Sequence, residues 1–186
     1  MEWNSVNSII ENIISCNYVF LRGIESVTDD FSEGDDWDIL CENKETMIKT
    51  IGARKLISDE PCYNYFVYVS GRKLLLDIRE VGDGYYDTKW EKHMLQHKEN
   101  NKGIYVLSDE DYKYSILYHC IIHKKEIATK YSDVVERIGD NLNEQIERLS
   151  LFMKNNEYLI AKPKDKGVYV NLQNWTMLEE INGRKN

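Results

Sequence analysis

Three aspartates have the chemistry and the spacing to hold a divalent cation. Asp36 and Asp38 stand two apart in Asp35-Asp36-Trp37-Asp38-Ile39-Leu40-Cys41, and Asp77 interrupts the apolar run Leu74-Leu75-Leu76-Asp77-Ile78. Strand side chains alternate between faces, so Asp36 and Asp38 share one face and Trp37 turns into the core. Two carboxylates held a few ångströms apart repel each other and call for a cation. Mg2+, or Mn2+ in its place, takes oxygen ligands, often one or two carboxylates plus substrate phosphates. Aspartate is depleted from strands, and an unpaired buried charge is costly. A metal site therefore accounts for Asp77.

Such a site suits phosphoryl chemistry. Two ions about 3.5–4 Å apart bind a triphosphate and activate an attacking oxygen. The protein then supplies positioning and charge neutralisation. Asp36 and Asp38 would bind both ions. Asp77 would bind the one beside the acceptor hydroxyl and act as its base, or hold the base's place. Plainer readings stand beside this one. Asp29, Asp30, Glu33 and Asp35 also make a solvated acidic loop, and Asp77 has Arg79 and Arg72 as candidate ion-pair partners.

Further side chains have the means to touch phosphate or substrate. Arg22 precedes a turn at Gly23, Arg72 and Lys73 sit at a hairpin turn, and Lys124-Lys125 end a helix. A helix C-terminus favours cations in any case. Tyr85 and Tyr86 follow the Asp77 strand in Gly82-Asp83-Gly84-Tyr85-Tyr86-Asp87, which is either a substrate loop with a stacking ring or a simple turn. The four histidines form two i,i+4 pairs, His93/His97 and His119/His123. Such pairs can bind metal from one helix face, but they are also ordinary amphipathic positions, and no HExxH is present. His119 and His123 lie on the helix expected to approach the site.

The elements that must carry these residues follow from periodicity. Val6, Ile9, Ile10, Ile13 and Ile14 predict a helix over 3–15, and Tyr18–Leu21 a buried strand ended by Arg22-Gly23. A polar loop over 24–35 leads to the strand Trp37–Cys41, a helix near 44–51 and a strand over 53–57. Tyr63–Val69 and Lys73–Val81 read as a hairpin, with Leu75, Asp77 and Arg79 on one face. Helices are predicted over 87–98, 109–123, 126–137 and 141–155, an extended piece over 103–107, a strand over 166–172 and a helical turn or two over 174–181. The boundary between a core (1–86) and a mostly helical region (87–186) packed on it lies where strands give way to helices.

Bulk properties narrow the partners. The chain has 186 residues and a formal net charge of -8, which disfavours nucleic acid as a partner. Cys16, Cys41, Cys62 and Cys120 lack CxxC spacing, so a zinc ribbon is not expected and reduced thiols are. No signal peptide or membrane span is apparent, and a cytoplasmic location is expected.

Three stretches, Phe20-Leu21-Arg22-Gly23, Gly34-Asp35-Asp36-Trp37-Asp38-Ile39-Leu40 and Leu76-Asp77-Ile78, together resemble the DNA polymerase beta-like nucleotidyltransferase superfamily. That family carries a strand, a glycine turn, a strand with Asp-x-Asp, and a third Asp on a later strand. The resemblance covers roughly residues 1–82. Tyr118-His119-Cys120-Ile121-Ile122-His123-Lys124-Lys125 looks like the helical tail of members linked to bacterial surface-polysaccharide loci. The family's glycine is usually followed by a serine that holds triphosphate; here Ile24-Glu25 follow and the first serine is Ser26. The resemblance implies an α+β fold: a small mixed sheet of four or five strands flanked by helices, with a helical C-terminal region. It implies Mg2+-dependent transfer of a nucleoside monophosphate from a nucleoside triphosphate to a small acceptor, such as a sugar or polyol phosphate. The alternatives are a non-catalytic relative that binds a nucleotide or a partner, and a transferase using another activated donor.

Overall fold

A computed structural model describes residues 2–56 and 65–183. One mixed sheet divides the molecule, and helices cover both of its faces. The first layer is local in sequence. Strand β1 (Glu2–Trp3) leads into helix α1 (Val6–Ile13), started by the Ser5 side chain accepting from the Ser8 amide. After strand β2 (Tyr18–Arg22) and a short 3-10 turn (Ile24–Ser26) come strand β3 (Asp36–Cys41) and helix α2 (Lys44–Ile51). Helices α1 and α2 bury Val6, Ile9, Ile13, Met47 and Ile51 against Phe20, Trp37, Ile39, Leu74, Leu76 and Ile78 of the sheet.

The sheet is completed by strands β4 (Arg54–Lys55), β5 (Tyr65–Val69), β6 (Arg72–Glu80), β7 (Glu99–Asn101) and β8 (Ile104–Val106). Its order is β1-β5-β6-β3-β2-β8-β7, with β4 pairing β5 from off this path. The mixed sheet stands as expected, but eight strands occur among the described residues instead of four or five. The additional ones are only two or three residues long, too short for alternation to reveal. Ile57, Cys62 and Tyr63 lie outside the described residues.

The second face carries the rest of the chain. Helix α3 (Thr88–Gln96) precedes the β7–β8 hairpin. Helices α4 (Asp109–Ile122), α5 (Thr129–Glu136), α6 (Leu142–Asn155) and α7 (Leu172–Gly183) follow it. Val19, Leu21 and Leu40 of the sheet join Trp90, Ile116, Leu117, Ile121, Leu149 and Met153 in one core. No helix among the described residues is long and apolar enough to cross a membrane.

Two departures affect the site. Residues 166–172 do not form a strand. Between α6 and α7 the chain is an irregular strap, tied down by Lys164 N–H donating to the Asp83 carbonyl (2.8 Å) and Asn171 N–H donating to the Ile122 carbonyl (2.8 Å). The loop joining β6 to α3 is fastened to it. Glu91 is fully buried and accepts from the Gly82 and Tyr86 amides at 2.6 and 3.2 Å, while burial pushes its carboxyl up to about 8.

Gly84 lies where loop and strap touch. Its backbone is left-handed (φ 81°), and a Cβ there would run into the Lys162 carbonyl. Gly84→Ala should cost about 2–4 kcal/mol, combining strain with overpacking. Urea unfolding reads this as a lower midpoint at unchanged slope. A loss under about 0.5 kcal/mol, the size of an ordinary surface change, would show that the contact does not constrain the loop.

Candidate functional site

Strands β3 and β6 run parallel, with Asp38 opposite Asp77 and Asp36 opposite Leu75. The alternation that sends Leu74, Leu76 and Ile78 into the α1–α2 layer turns Asp77 and Arg79 to the other face. The three carboxylates therefore meet on the face crossed by α4. They line a cleft of about 340 Å³ with Arg22, Arg79, Tyr85, His119, His123, Lys124, Lys125 and Gly167-Val168-Tyr169 of the strap.

Arg22 reaches this face through an irregularity in β2. The β2–β3 register runs Val19↔Leu40, Phe20↔Ile39, then Arg22↔Asp38, so Leu21 and Arg22 together oppose one residue. Simple alternation would put Arg22 with Tyr18 and Phe20 under α1. The bulge turns it toward Asp38, and its guanidinium meets Asp38 Oδ1 at 2.6 Å. The next residue, Gly23, is left-handed (φ 74°), and a Cβ there would lie 3.1 Å from the Asp36 carbonyl. Glycine is thus required by both the turn and the close approach.

The two inner carboxylates are each paired with an arginine. Arg79 donates to Asp77 Oδ2 at 2.9 Å and stacks over the Tyr85 ring at 4.4 Å. It also meets Asp165 of the strap at 3.5 Å. Arg22 and Arg79 are 5% exposed, Asp77 6% and Asp38 7%. Burial pushes the Asp38 carboxyl up to about 6; Arg22 opposes this, and Asp77 and Asp36 add to it. Asp36 is half-buried at the cleft, and its side chain makes no ion pair or hydrogen bond among the described residues.

A hydrogen-bonded chain extends from this pair into α4. Arg22 donates to the Tyr85 hydroxyl (3.4 Å), which lies 2.6 Å from His119 Nδ1. Burial pushes the Tyr85 phenol up to about 12 and holds His119 well below its usual range, with Arg22 and Lys124 adding to the second effect. Both are neutral near pH 7, and either one can donate in the bond between them. His123 stacks on Tyr85 at 4.3 Å and faces the carbonyls of Tyr85 (3.0 Å) and Tyr169 (3.3 Å). Burial takes it down to about 4 despite both carbonyls.

The structure thus brings together Arg22, Asp36, Asp38, Asp77, Arg79, Tyr85, His119, His123 and Lys124. Seven other candidate residues lie outside the cleft. Arg72 clamps the acidic loop, donating to the carbonyls of Phe31 (2.7 Å) and Asp29, and Lys73 lies over the Phe66 ring. Both stand at the β5–β6 turn, beyond the register of Asp36. Ser26 donates to the Gly23 carbonyl (2.8 Å), and Gly23 serves the turn itself. Tyr86 is buried, its hydroxyl donating to the Ser115 carbonyl at 3.3 Å. His93 and His97 stack on each other on α3, away from the cleft. The strap residues Asp165 and Gly167–Tyr169 were missed, because an irregular segment carries no periodic signal.

Asp36, Asp38 and Asp77 present oxygen donors only, the kind Mg2+ and Mn2+ prefer. Among the described residues, no three His, Cys, Asp or Glu side chains stand in an arrangement ready to hold a metal ion. Cys16, Cys41 and Cys120 are free thiols. Comparison with protein-family models, curated proteins and solved structures finds no match to this chain.

Arg22→Met strands a buried Asp38 carboxylate and should cost about 3–5 kcal/mol, most of which is recovered in the Arg22→Met/Asp38→Leu pair. A double variant as unstable as the single one would show that the packing of Arg22 matters, not its charge. The pH dependence has a definite sign. A carboxyl raised from 3.8 to about 6 favours the fold when protonated; its contribution is complete below 3.8 and lost as pH rises through about 6. The stability of wild type relative to Asp38→Asn should therefore fall between those two values. A flat difference would contradict the assigned burial.

Proposed function

We propose that this chain is a metal-dependent nucleotidyltransferase, moving a nucleoside monophosphate from a nucleoside triphosphate to a small acceptor such as a sugar or polyol phosphate. The observation that carries the reading is the register of β3 on β6. It sets Asp38 beside Asp77 and turns Asp36 onto the same face, at a cleft that also holds Arg22, Arg79 and Lys124. Asp36 and Asp38 would hold Mg2+ or Mn2+, with Asp77 beside the acceptor. When bound, the ion neutralises triphosphate charge and polarises the α-phosphoryl group.

The remaining work falls to the chain. Arg22 and Lys124 hold phosphate oxygens, Arg22 serving where the family's serine is absent. With Tyr85 as the donor to Nδ1, His119 would keep its proton on Nε2 and offer a hydrogen bond to a ligand oxygen. The acceptor oxygen forms a bond to the α-phosphorus as the bond from that phosphorus to the bridging oxygen breaks. Asp77 takes the acceptor proton, and pyrophosphate leaves.

A second reading rests on a specific observation. Asp38 and Asp77 already have guanidinium partners inside the protein. A non-catalytic relative that binds a nucleotide through the same groups would keep this pairing throughout.

The test is a thermal-shift screen of the four NTPs with Mg2+ or Mn2+. A specific NTP at 100 times its Kd stabilises by about 2.7 kcal/mol. Asp36→Asn should abolish that shift while leaving the unliganded melting temperature near wild type, because Asp36 has no partner to lose among the described residues. Pyrophosphate release with an acceptor present separates enzyme from binding protein. No shift with any NTP in either metal would sink both readings.

A further inference from the structure

Arg22 lines a second cavity besides the carboxylate cleft. This one, of about 540 Å³, lies between the Gly23 turn, the β7–β8 hairpin and the start of α4. Arg22 lines both spaces. We infer that this second cavity holds the nucleoside of the donor, whose triphosphate passes Arg22 to reach Asp36 and Asp38; the inference rests on the nucleotidyltransferase reading.

Size is the first argument. At about 340 Å³ the carboxylate cleft is near the lower end of small-molecule sites, which span roughly 300–1,000 Å³. A triphosphate and an acceptor leave no room there for a base and ribose. Lining chemistry is the second. Ile24 and Tyr112 are large apolar side chains left 36% and 38% exposed, and both line this cavity. A tyrosine ring on a rigid helix is a platform on which a base stacks.

Charge is the third argument. Glu99 and Asp109 line the cavity, and Arg22 is the one cation among the described lining residues. Phosphate is repelled by such walls, whereas ribose hydroxyls and exocyclic amino groups donate to them. The Asn101 side chain, on the same wall, makes no hydrogen bond within the described residues and is available to a base edge. The cavity therefore accepts the uncharged end of a nucleotide, and the arginine at its boundary accepts the charged end.

Calorimetry with Mg2+ present tests this by comparing inorganic tripolyphosphate with each of the four NTPs. At least one NTP should bind tighter than tripolyphosphate. Tyr112→Ala should weaken that NTP by roughly 5- to 100-fold, the range for losing one base–aromatic stack, and leave tripolyphosphate within about twofold. Asn101→Ala, also on the surface, should shrink the preference among the four bases. Tripolyphosphate and NTPs binding equally, or Tyr112→Ala leaving NTP binding intact, would overturn the inference and leave the transferase reading standing. Equal weakening of tripolyphosphate would also overturn it, since Tyr112 would then act on the phosphates. An unchanged NTP affinity with a raised KM for a sugar acceptor would assign the cavity to the acceptor instead. Failure of both tripolyphosphate and NTPs to bind would remove the transferase reading and this inference together.

Discussion

The buried pair between Arg22 and Asp38 is the constraint around which the cleft is arranged. Two charges removed from water gain little net stability, and either one left alone is heavily penalised. The pair therefore requires every neighbour to be in place. The bulge in β2 turns Arg22 to the correct face. Gly23 lets the chain leave β2 sharply and pass close to the Asp36 backbone. Tyr85 then ties the guanidinium to His119 on α4. Without the bulge, Arg22 would face the other side of the sheet and leave Asp38 in the interior without its partner. This explains why a sheet face otherwise built from Val19, Leu21 and Leu40 tolerates four buried charged side chains on three adjacent strands.

The second pair, Arg79 with Asp77, connects the same cleft to the far end of the chain. Arg79 meets Asp165 of the strap, and His123 faces the carbonyl of Tyr169 further along the same strap. The strap is not a regular element, so its position is set by these side chains, by its backbone ties to Asp83 and Ile122 and by the close approach at Gly84. Residues more than eighty positions from Asp77 thereby form one wall of its cleft. The helical half is part of the site, not a covering added to a finished sheet.

Much of this was legible in the sequence, and the reasons differ residue by residue. The placement of Asp36, Asp38, Asp77 and Arg79 on one face follows from a period of two in strands long enough to show it. The same reasoning fails at Arg22, because a bulge shifts the period by one residue and leaves no compositional mark. His119 and His123 were visible as one face of a helix, but nothing local shows that one bonds a tyrosine hydroxyl and the other two carbonyls. Arg72 and Lys73 were drawn in by charge alone, and the β5–β6 register places them at the opposite end of the strands from Arg79. The strands β4 and β8 fall within the stretches 53–57 and 103–107 that read as extended, whereas β1 and β7 exist through pairing with neighbours, and two or three residues cannot announce that in advance.

The charge balance of the cleft bears on how a cation and two arginines would coexist. Arg22 meets Asp38 through one nitrogen and one oxygen, not through the two-pronged fork that arginine forms with carboxylates at full engagement. A carboxylate offers about four lone-pair directions over its two oxygens. A guanidinium on Oδ1 therefore leaves Asp38 with capacity to accept further. The raised pKa of Asp38 shows that one arginine does not fully compensate burial beside Asp36 and Asp77. Asp36, with no partner among the described residues, adds a third negative charge against two guanidiniums. A divalent ion beside Asp36 and Asp38 would relieve that excess, and the negative phosphates arriving with it would restore balance with Arg22 and Lys124. Under the proposed transferase reading, metal and anionic substrate would bind far better together than either does alone, with the buried arginines holding the cleft assembled in the meantime.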